Sequence, residues 1–181
     1  MTTLLDGARG LGIELDPAQC AKLIQHLDLL DDWNTRMNLT AIRERPAQIT
    51  KHILDSLTMV PWLRGTRVAD IGSGAGFPGI PLAIVVPGVH FVLVESVGKK
   101  CRFLEQARDT LGLINVEVVQ SRAETYKPAE RFDTVLARAV GPVAAVEVID
   151  LASRKVVQKV TQAWGKPGFA CPPNPIPHDG P

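Results

Sequence analysis

Hydrophobic residues recur at two different periods in this 181-residue chain, and the change of period near residue 67 divides it into two parts. In "LDPAQCAKLIQHLDLLDDWNTRMN", Cys20, Leu23, Ile24, Leu27 and Leu30 fall on one face at helical spacing. Asp16 can cap that helix, Pro17 suits its first turn, and Gln19 completes a capping-box pattern. A second helix is expected from Pro46, carrying Ile49, Ile53, Leu57 and Val60 inward and ending before Pro61. Together they predict a small N-terminal helical extension over residues 1–62.

From Arg67 onward short β-branched runs, "RVADI", "HFVLVE", "VEVVQ" and "DTVLAR", alternate with helical patterns. Strands separated by helix-length connections pair in parallel through helical crossovers. "IPLAIVVP" is apolar nearly all round, as a crossover helix against a sheet would be. "GKKCRFLEQARDTLGL" carries Cys101, Leu104, Ala107 and Leu111 on one stripe, with Gly112 placed as a C-terminal cap. The expected fold class is α/β, a doubly wound, Rossmann-like sheet over residues 63–150. "VEVIDLASRKVVQKVTQAWGKP" reads as a helix, and residues 151–181 as an atypical tail. From Ala163 on, six prolines and three glycines in nineteen residues predict a disordered or loosely draped ending.

Composition narrows the class. A chain of this length with 45% hydrophobic residues should bury roughly 70% of its unfolded surface in one core. The net charge of +1 names no partner, but the charge is uneven: residues 1–35 hold six acids and two bases. Residues 36–67 hold six bases (Arg36, Arg43, Arg45, Lys51, Arg64, Arg67) against Glu44 and Asp55, a candidate anion-facing surface. Cys20, Cys101 and Cys171 have neither disulfide nor zinc spacing, which fits a reducing cytoplasm. The start lacks a basic region before an apolar stretch, and no apolar run reaches the ~18 residues of a membrane span. A soluble cytoplasmic monomer with no membrane partner and no metal site is the expectation.

The chemistry centres on "DIGSGAGFPG" (70–79), directly after the first strand, where an open parallel sheet binds its ligand. Gly72, Gly74 and Gly76 allow close backbone approach, and Gly74, Gly76 and Gly79 literally match the dinucleotide fingerprint. Glu95, ending the second strand 23 residues past Gly72, suits a ribose, which NAD and S-adenosylmethionine share. Asp70 favours the second: a carboxylate there can face an ammonium and would repel a pyrophosphate. Pro78 and Pro81 remove N–H groups that a pyrophosphate would use.

"NLTAIRE" (38–44), "HILDS" (52–56), "DIGSGAGFPGIPLAI" (70–84), "SVGKKCRFL" (96–104), "SRAE" (121–124) and "FDTVLARAV" (132–140) form an ordered set. From about residue 20 to 142 it resembles the bacterial small-subunit ribosomal RNA guanine-N7 methyltransferases, the glucose-inhibited division protein B family. The resemblance implies a Rossmann-like class I methyltransferase sheet and transfer of a methyl group from S-adenosylmethionine to one guanine N7 of 16S ribosomal RNA in the 30S subunit. It places cofactor contacts on Gly72, Phe77, Ala123, Glu124 and Arg138, with Glu95 at the ribose. No catalytic residue is expected, because guanine N7 keeps its lone pair at neutral pH and needs no general base.

Arg36, Asn38, Arg43, Lys51, His52, Lys99, Lys100 and Arg122 are the candidate RNA contacts, with Arg45 and Arg138 as further cations. Lys99 and Lys100 open a helix, where the dipole disfavours cations, so a functional use is favoured. Asn38 serves equally as a base contact or a turn cap. His52 and Asp55, three apart, share a helix face where a local polar contact is the first reading and RNA positioning the second. Trp33 and Met37 extend the apolar stripe as core. After residue 142 the resemblance stops: the C-terminal strands are expected to be missing, through truncation or an out-of-frame ending, leaving an exposed edge beside strand four. Two alternatives remain, a non-catalytic S-adenosylmethionine-binding remnant and an NAD-dependent oxidoreductase.

Overall fold

A computed structural model describes residues 3–138 in full, and Thr2, 145–150 and 155–161 as backbone. The helical part opens with α1 (Thr2–Gly10), which the apolar pattern did not reveal, and α2 (Pro17–Asn34). The capping box forms as expected: Gln19 N–H donates to Asp16 Oδ1 at 2.7 Å, and Asp16 N–H to Gln19 Oε1 at 3.1 Å. The next helical run has three pieces: α3 (Arg45–Gln48), a π-helical segment (Ile49–Leu54) and α4 (Asp55–Leu57). A 3-10 turn over Val60–Trp62 follows.

The sheet comprises β1 (Arg67–Ile71), β2 (His90–Glu95), β3 (Val116–Gln120), β4 (Thr134–Arg138), β5 (Ala145–Asp150) and β6 (Lys155–Thr161), in the order β3-β2-β1-β4-β5-β6. The first four strands are parallel, β5 runs antiparallel to β4, and β6 runs antiparallel to β5. Helices α5 (Gly79–Val85) and α6 (Gly98–Leu111) make two of the crossovers, and Gly112 closes α6 in the left-handed region at φ 60°. The strand order reverses at β1, so the glycine loop leaves the sheet at its switch point.

The C-terminal expectations need correction. In place of a helix over 146–167 and missing strands, β5 pairs with β4, so the β4 edge is occupied. The β-branched content of "AVEVID" and "KVVQKVT" favours extended backbone over helix, and the register sets Glu147 opposite Lys159 and Asp150 opposite Lys155. The proline-rich stretch from Ala163 lies outside the described residues.

One apolar cluster joins the helical part to the sheet: Leu4, Leu23, Leu27, Leu30, Ile53 and Leu57 pack with Val68, Ile80, Phe91, Phe103 and Leu136. The opposite sheet face buries Ala69, Val92 and Val94 with Phe132, and the chain after β3 brings Tyr126 against it. No helix among the described residues is long and apolar enough to cross a membrane. Because Leu27 is fully buried, Leu27→Ala should lower the unfolding free energy by about 2–5 kcal/mol, against ~1 kcal/mol for Asp16→Ala, as read by urea denaturation.

Candidate functional site

Three glycines with positive φ shape the loop after β1: Gly72 (72°), Gly74 (58°) and Gly76 (81°). Gly72 N–H donates to Val94 O at 2.7 Å, and Gly76 N–H donates to Ser73 O at 2.7 Å, so the loop folds back on β2 and on itself. The glycines do different work. A Cβ on Gly74 would meet only Gly72 O, at 3.7 Å, whereas one on Gly76 would strike the Ile80 side chain at 2.5 Å. One on Gly79 would collide with Leu93 and with Asp70 Oδ2 at 2.7 Å. Gly74 therefore borders open space, while Gly76 and Gly79 permit close packing beneath it.

Asp70 lies under this loop, 1% exposed. Its Oδ2 accepts the Gly79 N–H at 3.0 Å, while Oδ1 is buried with no partner among the described residues. Burial raises the carboxyl to about 6, the Gly79 hydrogen bond opposing the shift. The first turn of α5 has no amide left for an anion: Gly79 N–H is held by Asp70, Ile80 N–H donates to Gly76 O at 2.8 Å, and Pro81 has none. Leu82 N–H goes to Pro78 O at 3.2 Å.

Glu95 stands at the end of β2, but backbone groups already engage its carboxylate. Oε2 accepts Gly74 N–H at 3.0 Å and Oε1 accepts Val97 N–H at 2.9 Å, so it ties the glycine loop to the start of α6. Oε1 also accepts the Ser96 hydroxyl at 3.4 Å, so Oε2 is the oxygen that keeps a second lone pair for a hydroxyl donor. Ala123 and Glu124 are exposed in the turn after β3, beside exposed Arg122. Lys99 is exposed and Lys100 half-buried at the start of α6.

Phe77 turns inward, between two imidazoles. His52 stacks on it at 4.5 Å and 13°, and His26 lies at 4.7 Å and 33°. His26 is fully buried and donates from Nε2 to Ala75 O at 3.1 Å, so α2 holds the glycine loop directly. His26 was not among the residues singled out in the sequence, although its place three residues after Leu23 on the apolar stripe was a signal. Desolvation holds His26 down at about 3 and His52 at about 4, the Arg138 charge adding to the second, so both rings are neutral at pH 7. His52, a candidate RNA contact in the sequence, is only 6% exposed, and it meets the guanidinium of Arg138 at 3.2 Å, a partner 86 residues away. Arg138 also pairs with Asp55 at 3.0 Å, so this candidate cofactor contact is at the same time a structural ion pair.

The basic surplus of residues 36–67 meets the acidic surplus before it. Arg36 pairs with Asp32 at 2.8 Å, Arg45 with Asp28 and Asp31 at 2.6 and 3.0 Å, and Arg67 with Glu130 at 3.5 Å. Arg64 is spent on the carbonyls of Pro61 and Leu63, and Arg43 reaches Asn34 O and Asn38 Oδ1, both at 3.4 Å. The uniform anion-facing surface is thus reduced: of the six bases, exposed Lys51 alone has no ion pair or hydrogen bond among the described residues.

The raised Asp70 carboxyl has a stability consequence. The unfolded chain binds fewer protons at this group than the folded one between pH ~4 and ~6, so Asp70 contributes a loss of stability as pH rises through that window, fully present above it. Its size is about 3 kcal/mol, and the unpaired amide N–H of Asp70→Asn costs ~1–3 kcal/mol in return. Asp70→Asn should therefore match or exceed the wild type by about 1 kcal/mol at pH 8 and lose that advantage toward pH 4, measured by denaturant titration at each pH.

A model of the family described as rRNA small subunit methyltransferase G matches residues 19–162, twenty residues past the point where the recognisable motifs end. A Nitrosococcus oceani protein named ribosomal RNA small subunit methyltransferase G is 54% identical over 129 residues, 71% of this chain and 60% of that protein. A Pseudomonas syringae pv. syringae protein of the same name is 49% identical over 136 residues, 75% of this chain and 64% of that one. The chain thus spans somewhat under two thirds of the length of these curated relatives. Among solved structures, coclaurine N-methyltransferase bound to N-methylheliamine and SAH is similar with a TM-score of 0.46 and 19% identity, over 65% of this chain and 35% of that one. With the family model running from the first turn of α2 through the glycine loop and all six strands, the chain belongs to the rRNA small subunit methyltransferase G family.

Proposed function

We propose that the chain binds S-adenosylmethionine at the glycine loop and transfers its methyl group to N7 of a guanine in 16S ribosomal RNA, acting as a cytoplasmic monomer on the 30S subunit. The observation that carries this is the state of the α5 amides. Each N–H of the first turn is either absent or already bonded, and a buried carboxylate lies at its base. A pyrophosphate would find no donor there and a like charge nearby, which weighs against the dinucleotide despite the literal fingerprint. A ligand bearing an ammonium supplies what Asp70 Oδ1 lacks, and the open space at Gly74 suits a close backbone approach.

When bound, S-adenosylmethionine supplies an electrophilic methyl group on a sulfonium sulfur. The residues that would hold it are Asp70, Gly72, Gly74, Gly76 and Phe77 of the loop, Glu95 through the remaining lone pair of Oε2, Ala123 and Glu124 after β3, and Arg138. Guanine N7 has a lone pair at neutral pH, so the chain has no proton to remove before the bond forms. The neutral, buried His26 and His52 accordingly hold the loop rather than act as bases. What remains is to align the reacting atoms, an effect of up to roughly 7–11 kcal/mol. Arg43, Lys51, Lys99, Lys100 and Arg122, with Arg36 and Asn38, would meet RNA and make affinity salt-dependent.

Calorimetry with S-adenosylhomocysteine and with NAD separates the two ligand classes. Binding of the first and not of the second is expected, and tight NAD binding alone would overturn the proposal. Labelled methyl transfer to undermethylated 30S particles tests turnover, and binding without transfer would mark a non-catalytic remnant. Lys51→Ala should flatten the salt dependence of 30S binding by about one charge.

A further inference from the structure

Two side chains of the stretch "HILDS" (52–56) converge on one guanidinium from the far end of β4. Arg138 Nη1 donates to Asp55 Oδ2 at 3.0 Å and Nη2 to His52 Nδ1 at 3.2 Å. A guanidinium has only donors, so Nδ1 must be the acceptor and the imidazole proton sits on Nε2. That Nε2–H meets Thr40 Oγ1 at 2.9 Å, and the same hydroxyl oxygen accepts Ile42 N–H at 3.1 Å. The guanidinium thus selects the tautomer, and the Thr40 hydroxyl, which can accept, fits it. Phe77 completes the arrangement, stacked on His52 at 4.5 Å with Arg138 Cζ 5.6 Å from its centroid.

Arg138 is thus held by a carboxylate, an imidazole and a ring of the glycine loop, in a register where the preceding Ala137 lies beside Ile71. Two of its five N–H groups are used, and the other three have no partner among the described residues. Its side chain is 20% exposed and that of Asp55 11%, so the cation is open to a ligand while its anchor is nearly closed to solvent.

We propose that Asp55 and His52 are positioning residues that hold the Arg138 guanidinium against Phe77, so that its unused donors face the glycine-loop ligand in one fixed orientation. Neither residue touches that ligand or RNA; both act through Arg138. The affinity part of this inference rests on the methyl-donor proposal, whereas the clamp itself does not.

The experiment uses the whole chain in two arms. In the first, nitrogen-15 spectra without ligand are expected to show the Nε2–H tautomer for His52 and separate, slowly exchanging Nη signals for Arg138. Asp55→Asn should average those signals, and Arg138→Met should shift His52 Nδ1 toward a free imidazole nitrogen. Averaged Nη signals in the wild type, or an unmoved Nδ1, would overturn the clamp whatever the ligand is. In the second, S-adenosylhomocysteine affinity should fall about tenfold in Asp55→Asn and at least as far in Arg138→Met. The double variant should bind no more weakly than Arg138→Met alone. Additive losses would mean that Asp55 acts independently of Arg138, and Asp55→Glu, which keeps the charge, should recover part of the affinity.

Discussion

The hydrogen bond from Gly79 N–H to Asp70 Oδ2 is the contact around which the rest is arranged. It runs from the end of β1 to the start of α5 across the whole glycine loop, and it leaves no space for a side chain at Gly79. The same bond removes the one first-turn amide that neither proline nor the helix itself takes away. A buried, partly unsatisfied carboxylate costs stability, and it sits at the sheet's switch point, where a ligand is expected. Stability given up at one point in this way is the usual mark of a site shaped for a partner group.

The helical part is joined to that loop by chemistry as well as by packing. His26 from α2 and His52 from the π-helical segment enclose Phe77, and Asp55 reaches β4 through Arg138. Of the six bases of residues 36–67, Arg36 and Arg45 pair with acids of residues 1–35 and Arg67 with Glu130, while Arg43 and Arg64 bond neutral oxygens. A formally basic segment can therefore fold with half of its cations in ion pairs. What remains cationic and exposed, including Lys51, Lys99 and Arg122, is a short set distributed over separate elements.

Much of this was legible from local pattern. The runs "RVADI" and "HFVLVE" coincide with β1 and β2, because strands buried inside a parallel sheet are near-continuous apolar runs, and the β-branched "VEVVQ" coincides with β3 at the sheet edge. The capping box and Gly112 likewise depend on neighbours within a few residues. The misses share a cause, dependence on distant partners. Helix α1 has few apolar positions, and Leu4 and Ala8 become core only against the rest of the chain. The β5–β6 hairpin mixes charges with β-branched residues, and its pairing with β4 decides the outcome. Nothing local to His52 announces Arg138, 86 residues away.

The π-helical segment carries its own consequence. Six residues, Ile49–Leu54, are wound with one more residue per hydrogen-bonded ring than an α-helix, and residues 52–57 are consecutively buried, polar and apolar alike. The wider rings absorb the extra residue, so the chain on either side keeps nearly the facing it would have along an ordinary helix with one residue fewer. That winding turns polar and apolar side chains of one short stretch inward together: His52 and Asp55 meet Arg138, while Ile53, Leu54 and Leu57 enter the core.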